Sequence, residues 1–170
     1  MCLIVSTPLG VRAEASGSGE GQEAQAQDTM MAAISDQLAI GQQVARYAQY
    51  WDRKSADDFV TLFTPEGLME RYVAGALHEA SVVRGRDQIL EYAKASHSGR
   101  LAGRQSRHHF SNLVFEQLTS RTARTEHTFV VTHQLPGQAP VMMASGFYRI
   151  DWRKMGNVWL IDQRKLYVDR

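Results

Sequence analysis

The chain has 170 residues, 44% apolar and 22% charged, which suits one globular domain and argues against a disordered or coiled-coil chain. Nineteen Lys and Arg offset eighteen Asp and Glu to a net +1, with the basic residues scattered, so no nucleic acid or membrane surface is expected as a partner. The one cysteine, Cys2, excludes an intramolecular disulfide and a cysteine metal cluster, and no apolar run approaches the length of a spanning helix.

Residues 1–30 lack a core-forming pattern and read as a disordered tail. The stretch SGSGEGQEAQAQ from Ser16 to Gln27 has the composition of a mobile linker. The apolar stretch before it ends in Ala13-Glu14-Ala15, as the cleavage site of an export signal would. It lacks a charged leading region and is broken by Pro8. A cytoplasmic location is therefore expected, with export the alternative if residues 1–15 are part of a signal peptide. The domain is expected over residues 31–170.

From Met31 to Asp52 the spacing predicts a helix. Ile34, Leu38, Gly41, Ala45, Ala48 and Asp52 follow at steps of four and three, and Ile40, Val44, Tyr47 and Trp51 widen the apolar face beside them. Asp52 then ends the helix on its buried side, where the dipole and desolvation both raise a carboxyl pKa. If the helix frays at Tyr50, Asp52 points into water instead. Ser55 and Asp58 predict a variant capping box opening a short helix through Phe63, stopped by Thr64-Pro65-Glu66-Gly67. A strand over Leu68 to Val73, a loop to about Val83 and a third helix after Gly85 follow. His78 and His97 are placed in solvated loops.

The remainder is strand-like. His108 to Leu118 and Thr122 to Gln134 flank a turn at Thr119-Ser120-Arg121, and Val141 to Trp152 and Val158 to Val168 flank Lys154-Met155-Gly156-Asn157. Helices followed by two long hairpins predict an α+β domain with a curved, mainly antiparallel sheet. A turn centred between Ser120 and Arg121 sets His108 opposite His133, and a centre one residue earlier makes them diagonal neighbours on the same face. Parity then sets Phe110 and Val114 beside His108, and Phe129 and Val131 beside His133. A three-residue loop would put His109 on that face instead. His127 shares the parity but lies about 20 Å further along the strand.

Two imidazoles and a carboxylate in an apolar pocket suit acid–base chemistry near neutral pH. No His-x-His or His-x-x-x-His pair supports a metal. Nucleophilic catalysis has no G-x-S-x-G elbow, and no Gly-rich phosphate loop follows a strand. No metal or other cofactor is expected.

The segments AIGQQVARYAQYWDRKSADDFVTLFTPEG, VVRGRDQIL, RHHFSNLVFE and VWLIDQRKLYVDR resemble the SnoaL-like branch of the cone-shaped α+β superfamily, over about residues 32–170. That superfamily includes nuclear transport factor 2, ketosteroid isomerase, scytalone dehydratase and the small subunits of ring-hydroxylating dioxygenases. The resemblance implies a cone-like α+β barrel. In its polar positions the chain is most similar to scytalone dehydratase. Asp52 matches the catalytic Asp, and His108 and His133 match the two catalytic His at the same separation of 25 positions, which favours His108 over His109. One pocket Tyr maps to Tyr72, or with one inserted residue to Arg71, and the other is replaced by Trp51.

By this resemblance the expected catalytic set is Asp52, His108, His133 and Tyr72, with Tyr47, Trp51, Phe110, Phe129 and Val131 against the substrate. The expected activity is a cofactor-free, dehydratase-like lyase acting on a small hydroxylated carbonyl, aromatic, polyketide or steroid-like compound. His108 would take the proton beside the carbonyl, Asp52 would hold His133, and Tyr72 would polarise the carbonyl. The alternatives are an isomerase or cyclase of the ketosteroid isomerase or SnoaL type, and a non-catalytic ligand-binding or oxygenase small-subunit-like domain. The superfamily habit implies a homodimer or homotrimer formed through an outer sheet face bearing Leu113, Phe115 and Trp159.

Overall fold

The computed structural model describes residues 17–169. The tail residues read against an export signal lie outside them. Helix α1 (Gly17–Asp52) begins within the segment read as a linker. Residues 21–32 are all exposed there, and their Ala, Glu and Gln are strong helix formers that extend the helix without packing. The part up to Ala32 is a contact unit of its own, and the domain described below begins at Ala33.

Two further helices follow, α2 (Ala56–Thr61) and α3 (Arg86–Ser98), with seven strands: β1 (Phe63–Val73), β2 (Ala76–Leu77), β3 (Val83–Arg84), β4 (Gln105–Leu118), β5 (Thr122–Gln134), β6 (Val141–Met155) and β7 (Val158–Val168). They form one mixed sheet in the order β2-β1-β7-β6-β5-β4, with β3 also on β1. Only β1 and β7 run parallel; the other pairs are antiparallel. The fold is therefore α+β, as expected, with the helices packed on one face of the sheet. Ser55 precedes α2 without a side-chain capping bond. Thr64 to Gly67 lie inside β1, where the register shifts between Phe63 and Leu68, rather than in a turn before it.

The core face of α1 is the second of the two stripes read from sequence. Ile34 and Leu38 are 43% and 68% exposed, whereas Ile40, Val44, Tyr47 and Trp51 pack with Phe59, Phe63, Ile89, Trp152, Trp159 and Ile161. Each such large side chain contributes about 1.5–3 kcal/mol by leaving water. Polar groups set the rotation of the helix. The buried carboxylate of Asp36 accepts hydrogen bonds from Lys154 Nζ at 2.6 Å and Trp159 Nε1 at 2.9 Å, and Gln43 Nε2 donates to the Trp159 carbonyl at 2.8 Å. The stripe containing Ile34 and Leu38 cannot face the sheet while those bonds hold.

The β4–β5 hairpin carries two bulges. Next to the turn, Leu118 pairs with Ala123, as a turn centred between Ser120 and Arg121 requires. One extra β4 residue between Phe115 and Gln117, and another between Ser111 and Val114, then shift the register twice. Asn112 sits in the second bulge at φ 57°. Each shift reverses which side chains face the core. Between the bulges Leu113 and Phe115 pack against the core while Val114 is exposed, which corrects the expected place of all three. Beyond both bulges the original parity returns. Trp159 is buried, and Leu113 and Phe115 are half-buried against the core, so the three form no outer patch.

Gly146 in β6 has φ 149°, and a Cβ there would collide with the Tyr167 carbonyl oxygen, so only glycine lets β7 approach so closely. Replacing Asp36 by Ala leaves the Trp159 indole and the Lys154 ammonium without their buried acceptor. A stability loss of about 1–3 kcal/mol is expected, read as a lower urea midpoint at unchanged slope.

Candidate active site

Helix α1 runs unfrayed to Asp52, where the chain turns through Lys54 at φ 59°. The Asp52 carbonyl accepts from Gln105 Nε2 at 3.1 Å, which satisfies one of the free acceptors of the helix end. Its carboxylate, 8% exposed, meets three donors from β4. Ser106 Oγ donates to Oδ1 at 2.9 Å, the His108 backbone N–H donates to Oδ2 at 2.8 Å, and His108 Nδ1 lies 2.7 Å from Oδ1. Burial pushes the carboxyl up, but the bonds from His108 and Ser106 outweigh it and hold the pKa below the usual value. The upward shift expected from sequence is thus reversed, because burial here brings partners with it.

Asp52 pairs with His108 and not with His133. The two bulges place His133 opposite Ser106, and His108 opposite Val131. The two imidazoles are therefore diagonal neighbours on one face, and the carboxylate reaches only the nearer strand. His109 points to the other face, exposed, with Nε2 3.4 Å from Thr132 Oγ1. His133 Nδ1 is buried without a partner. Burial first, then the charges of Arg104 and Arg100, push its pKa down, so the ring is neutral near pH 7.

His108 and His133 line a cavity of about 450 Å³ on the core side of the sheet. Tyr47, Trp51, Phe129, Val131 and Tyr148 line it, and so do Arg71, Arg100 and Arg164. Burial raises the phenol pKa of Tyr47 and Tyr148, so both hydroxyls remain proton donors. Phe110 does not line this cavity. It packs edge-on against Tyr148 and borders a separate apolar groove, which His108 also touches, between α1 and β4.

Tyr72 is not among the cavity residues. It stacks on Tyr167 at 4.7 Å and donates to Glu70 Oε2 at 3.1 Å, and its neighbour Arg71 lines the cavity instead. Met69, buried two residues before Arg71, shares its parity, as does buried Phe63 at the start of β1. Two further residues escaped the sequence reading. Ser106 is signalled only by sharing strand parity with His108. Arg164 faces inward because a register shift follows Ile161 in β7, and simple alternation from Trp159 and Ile161 would have turned Gln163 inward.

His97 is also displaced from its expected place. It lies in α3, buried and edge-on to Trp51 at 4.8 Å, and burial with Lys54 and Arg100 lowers its pKa. His127 is buried with both ring nitrogens unpartnered, stacked on Tyr148 at 5.3 Å and edge-on to Phe110 at 4.6 Å. Among the described residues, no group of three or more His, Cys, Asp or Glu has a metal-binding arrangement.

A family model for the SnoaL-like domain matches residues 32–165. No curated protein matches the sequence. Among solved structures, the chain is similar to a protein of unknown function from Mycobacterium tuberculosis, at 25% identity and a TM-score of 0.69, covering 81% of this chain and 78% of that one. It is similar to a candidate scytalone dehydratase from Novosphingobium aromaticivorans, at 16% identity and TM-score 0.68, covering 83% and 89%. It is also similar to the β subunit of a candidate aromatic-ring-hydroxylating dioxygenase from the same organism, at 18% identity and TM-score 0.71, covering 81% and 92%. The last two likenesses show the shared cone fold alone.

The buried His127 makes stability depend on pH. Burial lowers its pKa from 6.5 to about 4. Between those values the unfolded chain takes up a proton that the folded chain refuses. The stabilisation is therefore complete above pH 6.5 and falls as the pH drops towards 4, by about 3 kcal/mol in all. Urea unfolding of His127→Leu across this window is expected to show a shallower slope of stability against pH, and a slope equal to wild type removes His127 as the cause.

Proposed function

The chain belongs to the SnoaL-like domain family, and we propose that within it this protein is a dehydratase-like lyase. It acts by Asp–His acid–base chemistry on a small ring compound bearing a carbonyl and a hydroxyl. The observation that carries this reading is the Asp52–His108 pair, 2.7 Å apart, with His108 on the wall of a cavity that holds a second, neutral imidazole.

Asp52 is a positioning residue. By binding Nδ1 it fixes the tautomer that leaves Nε2 of His108 as the basic atom, and it stabilises the imidazolium once that atom is protonated. His108 takes the proton α to the substrate carbonyl, and the released electron pair moves into an enolate. The hydroxyls of Tyr47 and Tyr148, kept protonated by burial, donate to the enolate oxygen in the role expected of Tyr72. As the enolate collapses, the carbon–carbon double bond forms and the β carbon–oxygen bond breaks. The His108 proton passes to the departing hydroxide, which leaves as water, and His133 hydrogen-bonds the same oxygen. Each proton removed is returned, so the scheme needs no redox partner.

General acid–base assistance of this type supplies about 10²–10⁴-fold, with the remainder left to positioning in a dry site. Isomerisation and aldol cyclisation begin with the same proton removal, and the mass of the product separates them, because only elimination loses one water. On a panel of one- and two-ring β-hydroxyketones, the wild-type protein is expected to give products lighter by one water. Asp52→Asn and His108→Ala are expected to lose about 10²-fold or more in kcat. Tyr72→Phe should stay within about twofold, since its ring lies outside the cavity. Wild-type rates in the Asp52 and His108 variants would overturn the reading.

A further inference from the structure

We propose that the cavity selects a substrate that carries a carboxylate, and that Arg164 is its receptor. This deepens the lyase reading and rests on the same cavity. The guanidinium of Arg164 projects from β7 among Tyr47, Tyr148 and Leu166 and is only 6% exposed. Its Nη1 donates to the Glu70 carbonyl at 2.9 Å, its Nε is buried with no partner, and its Cζ lies 5.8 Å from the centre of the Tyr148 ring. Among the described residues no carboxylate lies within ion-pair distance of it.

A buried guanidinium loses its hydration, a cost that a hydrogen-bonded counter-ion ordinarily offsets. One carbonyl does not neutralise the charge. The rest of the lining adds to the imbalance. Arg71 and Arg100 also border the cavity, while no Asp or Glu does, because Asp52 stands behind His108. Low-dielectric walls concentrate this positive field inside the cavity. A planar anion bound to the fork of Arg164 supplies the missing charge, and a carboxylate has the matching geometry. The apolar walls take up the ring that bears it.

The test compares 2-naphthoate with its neutral isostere 2-naphthamide, by titration calorimetry at pH 7.5 on the Asp52→Asn protein. Neither ligand carries the β-hydroxyketone of the elimination reading, so binding is read independently of turnover. The acid is expected to bind at least tenfold more tightly than the amide, and Arg164→Gln added to the same protein is expected to abolish the difference. Equal affinities, or a preference that survives Arg164→Gln, overturn the proposal while leaving the acid–base reading intact. Should the Gln variant fail to fold, Arg164→Lys keeps the charge but loses the fork. It should then weaken naphthoate several-fold with naphthamide unchanged, and an unaltered ratio overturns the proposal.

Discussion

A carboxylate at the C-terminal end of a helix, out of water, is in two unfavourable settings at once. Asp52 tolerates both because one strand offers it three hydrogen bonds within three residues, from Ser106, the His108 backbone and the His108 ring. The bonds do more than stabilise the charge. They join the end of α1 to the start of β4, and they grip His108 by both its main chain and its imidazole. The ring therefore has little freedom to rotate away from the cavity. Removing any of these donors would return the carboxyl towards the high pKa that burial alone dictates.

The remaining polar groups of the domain divide between two sides of the sheet. On the outer side, charges cancel locally: Arg149 meets Glu116 and Glu126, and Arg153 meets Asp162. On the inner side, around the cavity, Arg71, Arg100 and Arg164 have no acidic neighbour on the wall. The Asp36 anchor shows that the same fold can pair a buried charge fully when the role is structural. The contrast between these two buried charges sets Arg164 apart.

Much of the architecture could be read from residue order. Strands β5 and β7 match their expected limits, and the domain has the expected class. The inward face of His108 followed from parity together with family resemblance. Part of what escaped has one cause, since bulges leave no mark in hydrophobic alternation. The β7 shift brought Arg164 inward, and the paired bulges in β4 gave Asp52 the nearer imidazole. Tyr72 came from the family resemblance, whose one-residue alternative, Arg71, is the residue on the cavity. The rotation of α1 was hidden for a different reason. Two stripes of similar hydropathy lay side by side, and the choice between them fell to the hydrogen bonds of Asp36 and Gln43.

The doubled irregularity in β4 works like two insertions that restore a reading frame. A chain lacking one of the two extra residues would keep every functional side chain in its sequence, yet it would present His109 to the interior and turn His108 and Ser106 out towards solvent. A change of one residue in strand length would thus exchange one imidazole for the other and strip Asp52 of its bonds from Ser106 and His108, at a point remote from the chemistry itself.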